Sequence, residues 1–498
     1  DVCAKCHSRR NVVHPNFHAG EEFLDFYEPQ LLVPPIYHAD GQILDEVYVY
    51  GSFLQSKMYH KGIRCTDCHD PHTTRLRFEG NRLCGQCHQP GKYDRPSHHH
   101  HPPGPGTNCV DCHMPEQTYM VVDPRRDHSL RVPRPDLSAK YGTPNACNMC
   151  HTKPAEDAAW AADHVTQWFG PRRADDPHWT PAFAAAEANA PDADSLLVKV
   201  LQRPQTPAIV RATAAELLGR YSDSESESAR LKALQDSNAL VRAAAARTMV
   251  AQRDNNLPGV EPGRVAEALV PLLDDPVRAV RIAAARQLAG ARSWNLRVYE
   301  REILREKQAA LDEAIEEFKQ AQLASADRGG AHLVLSSLYQ DLGNFPAAAE
   351  ELRTAIRLEP YLPHARRNLA LLLEQLGAAP EEVLTLREEE AEVLAHNVAL
   401  LPENPELRAD LATMRYILGD VSEATKQLEK ACQLAPDQYG YRLLVTELYV
   451  KQQQWEEAER SASLLLEIAP DDPQAAQLLQ GVRLQRENRK ETNEPRDK

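Results

Sequence analysis

From about residue 193 onward, apolar side chains recur at i, i+3, i+4 and i+7 with polar residues between them, the pattern of amphipathic helices. Before about residue 170 the pattern breaks up. Apolar residues come singly or in pairs, interrupted by Pro and Gly as in PPGPG at 102–106 and VPRP at 132–135. This predicts short helices joined by irregular loops. The fold class is therefore all-α in two parts, a loop-rich head over 1–170 and an α-solenoid body. The stretch 171–192 mixes Pro, Asp and Ala and reads as a linker, and the polar end 486–498 reads as a disordered tail.

The body contains two kinds of repeat. IVRATAAELL at 209–218, LVRAAAARTM at 240–249 and AVRIAAARQL at 279–288 align Arg211, Arg242 and Arg281 at spacings of 31 and 39 residues. These resemble HEAT repeats of the Ala-rich kind and are assigned to 193–295. A period of 34 follows, assigned to 296–485. One unit places Leu335, Tyr339, Gly343, Ala348, Ala355 and Pro360 at offsets typical of tetratricopeptide repeats. Units near 405 (Leu411, Gly419, Ala424, Ala431, Pro436) and 439 (Tyr449, Trp455, Ala458, Pro470) keep the register, and the unit near 363 has an insertion around 380–396. Small residues mark helix crossings, and stacked units of this kind present a surface that binds other proteins.

Lys and Arg total 57 against 72 Asp and Glu, a net charge of −15 that argues against nucleic acid as a partner. Residues 1–153 carry 17 of each sign, so the negative charge lies in the body, where it would steer a basic protein partner. No run of eighteen apolar residues occurs, so no transmembrane helix is expected.

Cysteine placement changes the picture most. Ten of the 11 Cys fall in five C-x-x-C-H motifs: Cys3, Cys6, His7; Cys65, Cys68, His69; Cys84, Cys87, His88; Cys109, Cys112, His113; and Cys147, Cys150, His151. Each reads as a haem c attachment site. Two Cys at i and i+3 share one face of a turn and can add to both vinyl groups of one haem. The adjacent His then lies beneath the iron as proximal ligand. Zinc sites need paired C-x-x-C units and no following His, and disulfides do not account for five identical spacings. The remaining Cys432 sits within a repeat helix and reads as a small buried apolar residue. Five covalently attached haems are expected in about 155 residues, a domain with a radius of gyration of about 15 Å. No porphyrin can then be far from its neighbours, and the porphyrins supply the apolar core that the head lacks.

Each iron has a sixth position, which a second His makes low-spin and electron-transferring. Candidate distal ligands are His14, His18, His60, His72, the run His98, His99, His100 and His101, and His128. Catalytic residues are not assigned. Arg125, Arg126, Arg131 and Arg134 are candidate partners for haem propionates.

GIRCTDCHDPH, CVDCHMP and the DHS segment at 127–129 resemble the multihaem superfamily of cytochrome c nitrite reductase and hydroxylamine oxidoreductase. The longer run through YMVVDPRRDHS, RPDLS and GTPNACNMCH resembles bacterial multihaem cytochromes with HEAT and tetratricopeptide tails. In that superfamily the His of CHxPH and of DHS-like segments often ligates a neighbouring haem, which implies His72 and His128. The nitrite reductases carry one motif ending in Lys at the substrate haem, whereas all five motifs here end in His. The hydroxylamine oxidoreductases cross-link a Tyr to the active haem. Tyr48, Tyr50, Tyr59, Tyr93, Tyr119 and Tyr141 are present, and none is singled out.

The reading is an electron-transfer cytochrome rather than a catalyst, with the solenoid docking a redox partner protein. The alternatives are a reductase or oxidase of a small nitrogen or sulfur compound at one five-coordinate haem, and a scaffold stapled by haems. Because Cys3 stands close to the start of the chain, a removed export signal and a neighbouring subunit contributing near the first haem are also expected. Haem c attachment places the protein in the periplasm or outside the cell.

Overall fold

A computed structural model describes residues 2–171, 177–250, 261–291, 296–470 and 472–493 of the chain. It is mainly helical and falls into two compact units, Asp1–Ala324 and Ser325–Lys498. The all-α class holds, with two small hairpins: β1 (Arg10–Val12) pairs antiparallel with β2 (Tyr27–Pro29), and β3 (Glu116–Tyr119) with β4 (Asp123–Arg126).

The first unit begins with a conventional protein core. Phe17, Phe23, Phe26 and Tyr27 pack with Ala4 around the first hairpin, and Tyr50 closes on Phe23 at 5.3 Å between ring centroids. This cluster lies against the repeats. The Leu32 N–H donates to Thr213 Oγ1 at 3.0 Å, the Arg278 N–H donates to Asp25 Oδ1 at 2.6 Å, and Arg247 pairs with Glu28. The guanidinium of Arg278 also sits 5.6 Å from the Phe26 ring centroid. The expectation that the head lacks an apolar core is thus corrected for residues up to 56. Aromatic residues spaced irregularly in sequence converge there because the hairpin and its loops bring them together.

Residues 57–118 are the opposite case. The segment is ordered into short turns and helices, yet not one of its side chains is buried. Local bonds hold it instead. Asn81 donates to Asp94 Oδ1 and to the Thr107 carbonyl, and its Oδ1 accepts the Cys109 N–H at 2.8 Å.

The repeat helices of this unit pack through small residues. Ala243, Ala244, Ala245 and Ala246 are all fully buried in the helix Ala239–Arg247, where the absence of longer side chains lets neighbouring helices approach closely. The three aligned arginines form a ladder from one repeat to the next: Arg211 to Asp236 at 2.9 Å, Arg242 to Asp275 at 2.8 Å and Arg281 to Glu317 at 2.6 Å. Asp275 also accepts the Val277 N–H, so it ties the following helix start to the ladder. Arg242→Ala would leave the buried Asp275 carboxylate unpaired, and we expect a loss of about 3 kcal/mol in chemical denaturation of this unit.

The stretch 171–192 contains a helix, Thr180–Glu187, whose Thr180, Ala182, Phe183 and Ala186 are buried. Its Ala-rich face packs closely, so it is part of the fold rather than a free connector; residues 172–176 lie outside the described residues. The helices Val298–Glu306 and Gln308–Leu323 belong to the first compact unit.

The second unit stacks helix pairs from Gly329–Asp341 with Phe345–Leu358 through Tyr439–Lys451 with Trp455–Ile468. Ala348, Ala355, Ala424, Ala431 and Ala458 are fully buried where helices cross, and Cys432 is buried in the same kind of apolar cluster. The helix Pro473–Asn493 continues into the stretch read as a tail, whose last five residues lie outside the described residues. Among the described residues no helix is long and apolar enough to cross a membrane.

Candidate functional site

The five C-x-x-C-H motifs each form a tight turn. Three are short α-helical turns, Ala4–His7, Cys65–Cys68 and Cys109–His113, and two are 3₁₀ turns, Cys84–Gln86 and Cys147–Met149. In four of them the His N–H donates to the carbonyl of the first Cys, each at 2.9 Å, for His7, His69, His88 and His151. That bond places both sulfurs on one side with the imidazole adjacent. All ten motif thiols are free and none is buried.

Successive motifs are neighbours in space. The thiols of Cys3 and Cys65 lie close enough to influence each other, as do those of Cys84 and Cys109. The Cys68 thiol feels the charge of Cys87, and Cys112 that of Cys147 and Cys150. The sites therefore run in chain order, the first beside the second and so on to the fifth. In the Cys84–Cys109 pair, the contact between the two thiols holds Cys109 below the usual thiol range and pushes Cys84 above it. For Cys112, partial desolvation is the main cause of a thiol raised to about 11.

Three motif histidines face a second histidine. His69 and His128 lie 6.4 Å apart between ring centroids at 21°, His113 and His98 6.2 Å apart at 13°, and His151 and His101 6.1 Å apart at 46°. Two imidazoles on opposite sides of one metal atom, with metal–nitrogen bonds of about 2 Å, place their centroids about 6 Å apart. The donor set fits in tautomer as well. The Nδ1–H of His69 donates to the Thr74 carbonyl at 3.2 Å, His113 to Arg131 at 2.8 Å, His128 to Arg126 at 2.9 Å, and His101 to His99. Each Nε2 is thereby left as the free acceptor, the arrangement that metal-ligating histidines adopt. Partial removal from water pushes His128 and His98 below the usual histidine range, which favours the neutral ring with a lone pair to offer.

The other candidates are placed differently. His14 donates its Nδ1–H to the Pro15 carbonyl and meets Phe26 edge-on at 5.8 Å. His18 and His72 are exposed, with their backbone N–H groups donating to Glu21 and Asp70. His60 stands edge-on to Tyr59 at 5.3 Å, and burial lowers it. Nδ1 of His99 accepts the His101 N–H, and His100 stacks on Trp168. Among the described residues no histidine ring lies against His7 or His88, and His88 is met edge-on by Tyr93 at 5.7 Å.

The four candidate propionate partners already face protein carboxylates. Arg125 pairs with Glu46 and Asp123, Arg131 with Asp40 at 3.2 Å and Asp127 at 2.9 Å, and Arg134 with Asp136 at 2.7 Å. Arg126 lies 3.7 Å from Glu116 and donates to the Met114 carbonyl at 3.2 Å. These arginines hold the segments around the fourth motif and His128.

Two features escaped the sequence reading. Glu156 Oε2 stands 3.6 Å from His151 Nδ1, a carboxylate behind a motif histidine. The helix Ala158–Phe169 carries Trp160, His164 and Trp168 on one face, and Trp160 lies 4.7 Å from His151. The signal for the second was an aromatic spacing of i, i+4, i+8 directly after the last motif.

Comparison with known proteins recovers the three parts separately. A family model for a doubled CXXCH motif matches residues 58–93, one for HEAT repeats matches 193–289, and one for tetratricopeptide repeats matches 415–481. The chain thus carries a cytochrome c type haem-binding motif and two kinds of repeat that typically mediate protein–protein contacts. No curated protein matches. Among solved structures, the chain is similar to a thermophilic tetratricopeptide protein of Thermus thermophilus, with 21% identity over 36% of this chain and 95% of that one at a TM-score of 0.27. It is also similar to MamA 41-end from Desulfovibrio magneticus RS-1, with 15% identity over 35% and 94% at a TM-score of 0.26. A third is YrrB, described as a tetratricopeptide protein with an unusual peptide-binding site, with 16% identity over 43% and 97% at a TM-score of 0.27.

Proposed function

We propose that the chain is an electron-carrying multihaem c-type cytochrome with five haems, one at each motif. When bound, the haems supply one-electron redox chemistry. The chain's own part is to set their spacing and ligation. The observation that carries this reading is the side-by-side placement of motif cysteines, Cys3 with Cys65, Cys84 with Cys109, and Cys112 with Cys147 and Cys150. Each thiol would anchor a porphyrin, and the closeness of the cysteines suits electron exchange from one haem to the next.

His7, His69, His88, His113 and His151 are proposed as proximal ligands. His128, His98 and His101 are proposed as distal ligands opposite His69, His113 and His151, on the strength of their ring separations. With two imidazoles available at each of these sites, a bound iron would have no open position for a substrate, which favours carrying electrons over catalysis there. Glu156 behind His151 would make that ligand more basic.

The likeness of the head segments supports a place in the nitrite reductase and hydroxylamine oxidoreductase superfamily. Haem c attachment supports export to the periplasm or cell surface. The acidic repeat body is proposed to dock a basic redox partner protein. The test is haem content by intact mass and pyridine haemochrome absorbance, followed by a potentiometric titration. Five haems per chain with potentials that depend on one another's charge are expected. Fewer than five haems, or haems that titrate without mutual influence, would overturn the reading.

A further inference from the structure

The run His98–His101 contains four identical side chains, and the structure gives them different surroundings. His98 faces His113 of the fourth motif, and His101 faces His151 of the fifth. His99 caps the turn by accepting the His101 N–H at its Nδ1. His100 adopts the left-handed conformation, φ 56° and ψ 24°, which ends the short helix Pro96–His99 and turns His101 off its line. Its ring lies flat on Trp168, with centroids 4.3 Å apart and planes at 5°. Phe169, the next residue, meets both His100 at 5.6 Å and His98 at 6.0 Å. On the other side, Gly106 comes so close to His101 that a Cβ there would stand 2.9 Å from its Cδ2. Gly106 also has a φ of +84°, which disfavours any larger residue.

We infer that Trp168 and Gly106 are positioning residues that divide this histidine run between two haems, sending His98 to the fourth motif and His101 to the fifth. The inference rests on the ligation proposed above. Trp168 holds the left-handed His100 in place, and that residue fixes the directions in which its neighbours leave the backbone. Gly106 provides the space in which the His101 ring stands. The helix that carries Trp168 also carries Trp160 against His151, so one helix touches both the fifth-motif histidine and the residue next to His101. Three residues span about 10 Å at most when extended, so the irons served by His98 and His101 are held as neighbours and respond together to any shift of the turn.

The full haem-loaded chain is the material for the test, read by low-temperature EPR and by potentiometric titration of each haem. Trp168→Ala should change the low-spin signals and potentials of two haems and leave the other three as they are. Trp168→Phe, which keeps a ring for His100, should restore them. Gly106→Ala should perturb one haem only, the one ligated by His101. If Trp168→Ala does not accumulate, His100→Ala removes the same stack from the other side and should give the same two-haem change. Unchanged spectra in Trp168→Ala or His100→Ala, or an equal disturbance of all five haems, would overturn the inference. The ligation reading has its own control. If His98→Ala and His101→Ala also leave every signal unchanged, the ligand assignment fails. If they change the spectrum while the Trp168 and His100 variants do not, only the positioning role fails.

Discussion

His128→Ala is expected to convert one haem from low-spin to high-spin while leaving the fold intact. The His128 ring faces His69 at 6.4 Å and donates its Nδ1–H to the Arg126 carbonyl, so its Nε2 is the group turned toward the motif. An alanine leaves nothing to fill the sixth position except water, and a haem with one imidazole and a weak sixth ligand is high-spin. The change should amount to about one fifth of the ferric EPR intensity, since the other irons keep their ligands. His128→Met should instead keep that haem low-spin and raise its potential, because a thioether stabilises ferrous iron better than an imidazole does. His14→Ala serves as the control. Its ring donates to the adjacent Pro15 carbonyl and packs on Phe26, so the spectrum should not change. A wild-type spectrum from His128→Ala would remove that residue from the ligand set.

The second large effect concerns stability. In a chain produced without haem attachment, residues 57–118 are expected to lose their structure while the repeat unit Ser325–Lys498 keeps its helices. The reason lies in the burial pattern. The repeat unit buries Ala and Leu side chains at every helix crossing, whereas 57–118 buries none. Short turns cost conformational entropy, and without an apolar core the few local hydrogen bonds of this segment offset little of it. Covalently attached porphyrins would supply that core. Limited proteolysis should therefore cut the haem-free chain first within 57–118, and circular dichroism should retain most of the helical signal. The segment up to residue 56 should resist cleavage longer, because its aromatic cluster is anchored to the repeats through Asp25, Glu28 and Leu32. Uniform cleavage along the whole head, or equal resistance with and without haem, would contradict this account.

Much of the repeat architecture was legible in the sequence because its contacts are local. A helix pair packs on the next pair, so the same small residues recur at the same offsets, and Ala348, Ala355, Ala424 and Ala431 are buried where the period places them. The aligned Arg211, Arg242 and Arg281 were visible as a pattern, and their purpose was not. Their acidic partners lie 25, 33 and 36 residues further along the chain, at no constant offset. The stretch 171–192 reads as a linker because Pro and Asp dominate its start, yet the Ala-rich segment that follows packs as a helix against its neighbours.

The head divides along the same line. The attachment chemistry is local: two cysteines and a histidine within five residues form one turn, and the His N–H to Cys carbonyl bond that shapes it lies within the motif. The sequence alone therefore determined that five such turns exist, where they are and which histidine follows each cysteine pair. The partner of each histidine is set by contacts between distant segments. Nothing in the chain distinguishes His98 from His99, His100 or His101. Only the fold, by stacking His100 on Trp168 and opening a space beside Gly106, turns one of these rings toward His113 and another toward His151. Chemistry carried by neighbours along the chain can be read from the sequence, and chemistry that needs two rings about 6 Å apart across separate loops is decided by tertiary structure.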